Sequence, residues 1–274
     1  MKILRGCLTA ACALLVFYAL QILVAYFMLY GILYMQGSLN VLVLTDELFN
    51  VILARISMPA TLLADLAFAV TVFFAAVLLD KERNPFSYLA INKLSLYTVP
   101  ILLCFGIAAS VLIGFVWPLL PFPQSMWDYY NSLVEPLGMN EPVTVVTAVL
   151  IVPIAEEFLC RSVMIREFRR FMHPVLAVFV SASLFGLIHG NLIQGTYAFA
   201  CGVILGFVYL RYRSVAASIL FHMGFNASNY ILQLLPQENE ILLGLITIAL
   251  LGCALLFGFL AFFFNGKHAK DITL

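Results

Sequence analysis

The chain has 274 residues, 64% of them hydrophobic and only 10% charged, with a net charge of zero. A mean hydropathy of +1.06 excludes an ordinary soluble domain and indicates a polytopic membrane protein. Zero net charge gives no support for a nucleic-acid partner. The long apolar runs lack the alternation of a membrane β-barrel, so the spans are helices that bond their own backbone.

No polar stretch is long enough for a separate soluble domain, so residues 1–274 read as one membrane domain. The first expected span, 7–35, follows Lys2 and Arg5. It is too long for a signal peptide and ends at no small-residue cleavage site. Residues 36–57 are of mixed polarity, with Asp46, Glu47 and Arg55. A second span, 58–79, contains Asp65, which is either a proton or substrate site or, as is commoner, a packing or interfacial carboxylate. The third span is 94–117. The connection 118–142 is rich in proline and aromatics, including Trp127, Tyr129 and Tyr130, and suits an interfacial loop or lid at headgroup level.

The fourth span, 143–165, is the unusual one. It carries Glu156, Glu157 and Arg161 in an otherwise apolar run. Ionisable groups at that depth cost at least about 2–3 kcal/mol each, so they mark a functional site by default. Glu157 and Arg161 have the spacing and order of a favourable i,i+4 ion pair. Glu156 points about 100° around the helix from its neighbour and is left for another role. Pro153 should kink this helix and free a carbonyl one turn earlier. The fifth span, 174–189, is short, rich in small residues, and ends at His189. The sixth, 192–210, has Gly202 and Gly206 at the spacing of a close helix contact. The seventh, 215–235, carries His222 and Asn226 one turn apart, and the eighth is 241–264.

With eight spans and both termini in the cytoplasm, every Lys and Arg except Arg55 and Arg161 faces the cytoplasm, as the positive-inside rule asks. Depth is less easily reconciled. Counted from the basic ends, Glu156 lies about 15 Å deep and His222 about 13 Å, but His189 about 22 Å. The three meet only if the fourth helix projects into the cytoplasm, or if the fifth starts deeper or tilts. No internal repeat is evident, which argues against many transporter architectures. The six cysteines lie in or beside apolar runs without a C-x-x-C, and read as packing residues rather than disulfides or metal ligands.

These polar residues can do hydrolytic chemistry. A carboxylate holding a water, with a histidine beside it, serves as general base and then as proton donor. His222 and Asn226 can both donate to an oxyanion. Arg161 would hold Glu157. The motifs Glu156-Glu157-x-x-x-Arg161, Phe185-x-x-x-His189 and His222-x-x-x-Asn226 also resemble those of the CAAX-protease and bacteriocin-processing (Abi) family of intramembrane proteases. The resemblance covers residues 143–234, expected to form a catalytic core of four helices. It implies an eight-helix bundle with a cytoplasm-facing cavity in the membrane, and hydrolysis of a peptide bond of a membrane-associated or lipidated peptide or protein. It assigns Glu156 and His189 to water activation, and His222 and Asn226 to the oxyanion site, with Glu157 and Arg161 in support.

No cofactor is expected. Zinc held by Glu156, His189 and His222 is the alternative, weakened by the absence of an H-E-x-x-H helix. Two other functions compete with an endopeptidase. One is a non-catalytic scaffold or bacteriocin self-immunity factor that binds through the same cavity. The other is a proton-coupled transporter using Glu156 and Asp65.

Overall fold

The computed structural model describes residues 1–35, 46–79, 84–135 and 141–233, with isolated helical positions between 244 and 258. The expected eighth span falls largely outside the described residues. So do Lys81, Arg83, Lys267 and Lys270. Among the described residues the regular structure is helical throughout. In chain order the helices are α1 (Lys2–Met35), α2 (Asp46–Leu79), a single turn α3 (Pro85–Tyr88) and α4 (Thr98–Val116), continued by a 3-10 turn, Trp117–Leu119. Then follow α5 (Gln124–Val134), α6 (Pro142–Phe168), α7 (Pro174–Leu187), α8 (Leu192–Tyr212) and α9 (Val215–Gln233). Among the described residues, five segments are long and apolar enough to cross a membrane: Lys2–Met35, Phe49–Leu78, Thr98–Leu119, Pro142–Phe168 and Leu192–Tyr212.

Two expected elements are corrected. Helix α2 starts at Asp46, so the mixed stretch before residue 58 is largely helix. Its apolar residues keep helical spacing, and Ile52 and Ile56 bury against Leu33 of α1. Helices α1 and α2 have 34 residues each, about 51 Å at 1.5 Å per residue, which exceeds the roughly 30 Å hydrocarbon core. Helix α7 is the opposite case. Its 14 residues amount to about 21 Å, too short to cross. The helix of the expected fifth span ends at Leu187, and His189 lies in the turn that follows.

Small residues set the closest helix contacts. A Cβ on Gly106 of α4 would collide with the Phe221 carbonyl oxygen, and one on Gly224 of α9 with the Leu103 carbonyl oxygen. Helices α4 and α9 thus touch backbone to backbone. Helices α7 and α8 do the same at Gly186 and Gly195, and the expected Gly202 and Gly206 pair faces Ala182 and Val178 of α7. Large apolar side chains such as Leu15, Ile22 and Phe27 of α1 are more than half exposed, as a lipid-facing surface requires.

One end of the bundle gathers the basic residues. Gly6 near the start of α1 packs on Phe171 just after α6. Arg166 donates to the Tyr88 carbonyl at 2.6 Å and its guanidinium stacks on the Tyr88 ring. Asn92 donates to the Arg213 carbonyl, and the Val215 N–H to that of Ala90.

Candidate active site

Helix α6 departs from α-helical geometry twice, around the two glutamates. Thr147–Ile151 and Phe158–Ile165 are π-helical, flanking the α-helical Val152–Glu157. Such bulges are frequent at functional sites. The first has a visible cause. The Val152 N–H reaches back five residues to Thr147, so the next donor in that register would be residue 153. Pro153 has no N–H, and the Ala148 carbonyl loses its helical partner. Asn226 of α9 supplies one, its amide Nδ2 donating to that oxygen at 2.7 Å. The proline expected to free a carbonyl does so, and the partner is one of the residues singled out for chemistry.

Glu157 sits at the centre of a buried charged group. Its Oε2 is 3.0 Å from Arg161 Nε, and its Oε1 accepts from His222 Nδ1 at 2.9 Å. Glu157 and Arg161 are 0% and 1% exposed. A second guanidinium nitrogen, Nη2, donates to the Gly202 carbonyl at 3.0 Å, and the guanidinium lies 5.4 Å from the Phe185 ring centroid. Arg161 therefore ties α6 to both α7 and α8. Its Nη1 has no hydrogen-bond partner among the described residues, and the cation–π contact of the guanidinium with Phe185 adds to what holds it.

His222 uses its two nitrogens differently. Because a carboxylate only accepts, Nδ1 carries the proton shared with Glu157. Nε2 faces Glu156 Oε2 at 3.7 Å, within ion-pair range but too long for a hydrogen bond. Glu156 is not locked to this histidine, and it lines the cavity described below. Asp65 of α2 belongs to a separate polar pair. It is buried and accepts from Gln21 Nε2 of α1 at 2.6 Å.

His189 reaches the same place from the turn between α7 and α8. Its Nδ1–H donates to the Phe185 carbonyl at 2.7 Å, which leaves Nε2 as an acceptor. Its ring packs edge-on to Phe185 at 4.9 Å, and Phe185 packs edge-on to His222 at 5.9 Å. The turn is braced on both sides. Asn191 caps α8 by accepting from the Gln194 N–H and donates to the His189 carbonyl. Tyr18 of α1 donates to the Ile188 carbonyl at 3.0 Å. Gly190, at φ +72°, holds a backbone conformation that favours glycine.

Glu156, His189, His222 and Asn226 all line one cavity of about 670 Å³. Glu156, His189 and His222 meet although His189 follows Pro174 by 15 residues, because its ring turns back along α7 to the Phe185 carbonyl. The cavity is covered by the 3-10 turn after α4 and by α5, in the proline-rich and aromatic segment expected to be a lid. Trp117 Nε1 donates to Thr196 Oγ1 at 3.0 Å, and Tyr130 packs edge-on to Tyr197. Tyr197, Tyr18 and Gln21 were not singled out from sequence. The last two lie three apart on an apolar helix, which is a legible signal of one polar face. The position of the cavity also bears on orientation. Its lining includes Trp117, Trp127 and Tyr130 and lies toward the end of the bundle away from the basic residues.

All six cysteines are free thiols. Among the described residues no three His, Cys, Asp or Glu side chains are grouped to hold a metal ion. Within the proposed zinc set, Nδ1 of each histidine is already bonded to a protein oxygen, so only the two Nε2 atoms and Glu156 would remain as donors.

Residues 138–228, the stretch that carries all three motifs, match the model of the family described as type II CAAX prenyl endopeptidase Rce1-like. No curated protein and no solved structure matches the chain. This match covers about a third of the chain and agrees with the resemblance drawn from the motifs.

Proposed function

Taking that family match as premise, we propose that the protein is an intramembrane endopeptidase that hydrolyses a peptide bond of a membrane-associated or lipidated substrate. The observation that carries the reading is the meeting of two histidines and an uncommitted carboxylate, from three separate helical segments, in one covered cavity. Glu156 is the general base. It takes a proton from a water in the cavity as that water attacks the scissile carbonyl, and returns it to the leaving amine. His189, with Nδ1–H fixed on the Phe185 carbonyl, offers Nε2 as a second acceptor to orient the water. The second N–H of the Asn226 amide is an oxyanion donor, and His222 Nε2 joins it in the imidazolium form, in which both ring nitrogens donate. Asn226 has one N–H on Ala148, and that bond fixes the direction of the other.

Glu157 and Arg161 are positioning residues. Glu157 holds His222 through Nδ1, and Arg161 holds Glu157. Every step is supplied by side chains of this chain, and no metal is required. The test is comparative. Membrane peptides from cells making the wild type or Glu156→Gln are profiled for termini that the variant fails to produce. Identical profiles with a folded variant would refute hydrolysis and favour a binding role for the same cavity.

A further inference from the structure

The bundle is polarised, and the polarity runs against the cavity. Helix α6 carries the cavity-lining Ala148 near its start and Arg166 near its end. Eighteen residues separate them, about 27 Å along the axis. Helix α8 carries the cavity-lining Tyr197 near its start and Arg211 near its end, about 21 Å apart. Each helix thus spans most of a roughly 30 Å hydrocarbon core between a cavity residue and a basic residue. The contacts of Arg166 with Tyr88 and of Asn92 with the Arg213 carbonyl confirm that the basic ends form one face.

The other face has the opposite character. Trp117, Trp127 and Tyr130 line the cavity on this side, and such aromatics are enriched at a membrane–water interface. The charged residues beside it are Asp128, Glu135 and Glu141, all exposed. Arg55, on α2, is the exception among the described basic residues on this side. Basic residues near the ends of spans are retained in the cytoplasm, and acidic ones carry little weight in that rule. The face with Arg166, Arg169, Arg170, Arg211 and Arg213 is therefore cytoplasmic.

We infer that the cavity opens at the extracytoplasmic face of the membrane, under a lid formed by α5. Its substrates are then peptide segments presented at the outer leaflet: parts of exported, surface-exposed or outer-leaflet-anchored chains. The orientation stands on geometry and charge alone, and only the substrate class rests on the hydrolytic reading. A cytoplasmic peptide would reach this site only by crossing the bilayer.

Single cysteines report the orientation without any need for activity. Asp128→Cys and Glu141→Cys mark the mouth, and Lys93→Cys and Arg170→Cys mark the basic face. Intact cells are treated with a membrane-impermeant maleimide, and modified peptides are read by mass spectrometry against the parent chain. Expected is labelling at 128 and 141 in intact cells, and at 93 and 170 only after permeabilisation. Labelling at 93 or 170 in intact cells overturns the inference, as does a mouth pair that reacts only after permeabilisation. Two sites per face guard against one variant misfolding. The substrate class is read in the peptide termini lost with Glu156→Gln. They should map to extracytoplasmic segments, and loss confined to cytoplasmic segments overturns that part. No loss at all refutes hydrolysis while the labelling pattern still stands.

Discussion

Truncating Arg161 to alanine should destabilise this protein more than any other single change to a polar side chain of the site. Arg161 is 1% exposed. Its removal leaves Glu157, fully buried, with one of its carboxylate oxygens facing an emptied space. Breaking a buried ion pair from one side costs about 3–5 kcal/mol. Loss of the bond to the Gly202 carbonyl adds about 1 kcal/mol or more. Replacing both partners is different. Glu157→Gln keeps an amide oxygen for His222 Nδ1, and Arg161→Met keeps most of the buried volume without a charge. The double variant Glu157→Gln/Arg161→Met should recover at least about 2 kcal/mol of the loss, because neutral or apolar replacement of a buried pair is often close to neutral. Unfolding by SDS titration in mixed micelles, followed by far-ultraviolet circular dichroism, measures both. An Arg161→Ala variant within about 1 kcal/mol of the wild type would refute the reasoning, given the one-sided cost expected of a broken buried pair. So would a double variant no more stable than the single one.

The remaining predictions concern the catalytic groups, the proline, the helix contact and the metal question. Glu156→Gln and His189→Ala should each lower cleavage about 10²–10⁴-fold, and His222→Ala about 10²–10³-fold, with helical content retained by circular dichroism; wild-type rates in any of them would remove that residue from the mechanism. Asn226→Ala should cost about 1–3 kcal/mol by orphaning the Ala148 carbonyl, and adding Pro153→Ala should restore stability but not activity; a second change without effect in the SDS titration would disprove the shared role. Gly224→Ala should force α4 and α9 apart and destabilise by about 1–3 kcal/mol or more, read in the same titration. Activity should survive chelation when metal content is measured alongside; activity lost and restored by zinc would assign Glu156, His189 and His222 as ligands.

The charged residues of α6 explain why much of the site was legible early. A carboxylate in a 27-residue apolar helix has no inexpensive surroundings, so its presence alone announces a partner. The i,i+4 spacing then names Arg161 as that partner, because helical geometry is local. The same holds for Pro153, whose missing N–H must orphan a carbonyl wherever the helix lies. Depth was not legible, since it depends on where each helix begins and ends relative to its neighbours. Counting residues from Pro174 placed His189 too near the far surface, on the assumption that the helix enters the membrane at Pro174. Sequence hydropathy alone does not separate an apolar helix of 14 residues that ends inside a bundle from one that spans.

Composition and spacing determined that this is a helical membrane protein. They also pointed to Glu156, Glu157, Arg161, His189, His222 and Asn226 as a candidate site, since burying such groups in lipid is costly without a use. Only the packing of the helices decided which of those groups touch. Glu157 rather than Glu156 holds His222, Asn226 holds the carbonyl freed by Pro153, and the cavity lies at the end of the bundle away from the arginines. Those outcomes depend on distances of a few ångströms between segments far apart in the chain, fixed by backbone contact at Gly106 and Gly224 and by the short α7, and no local pattern encodes them.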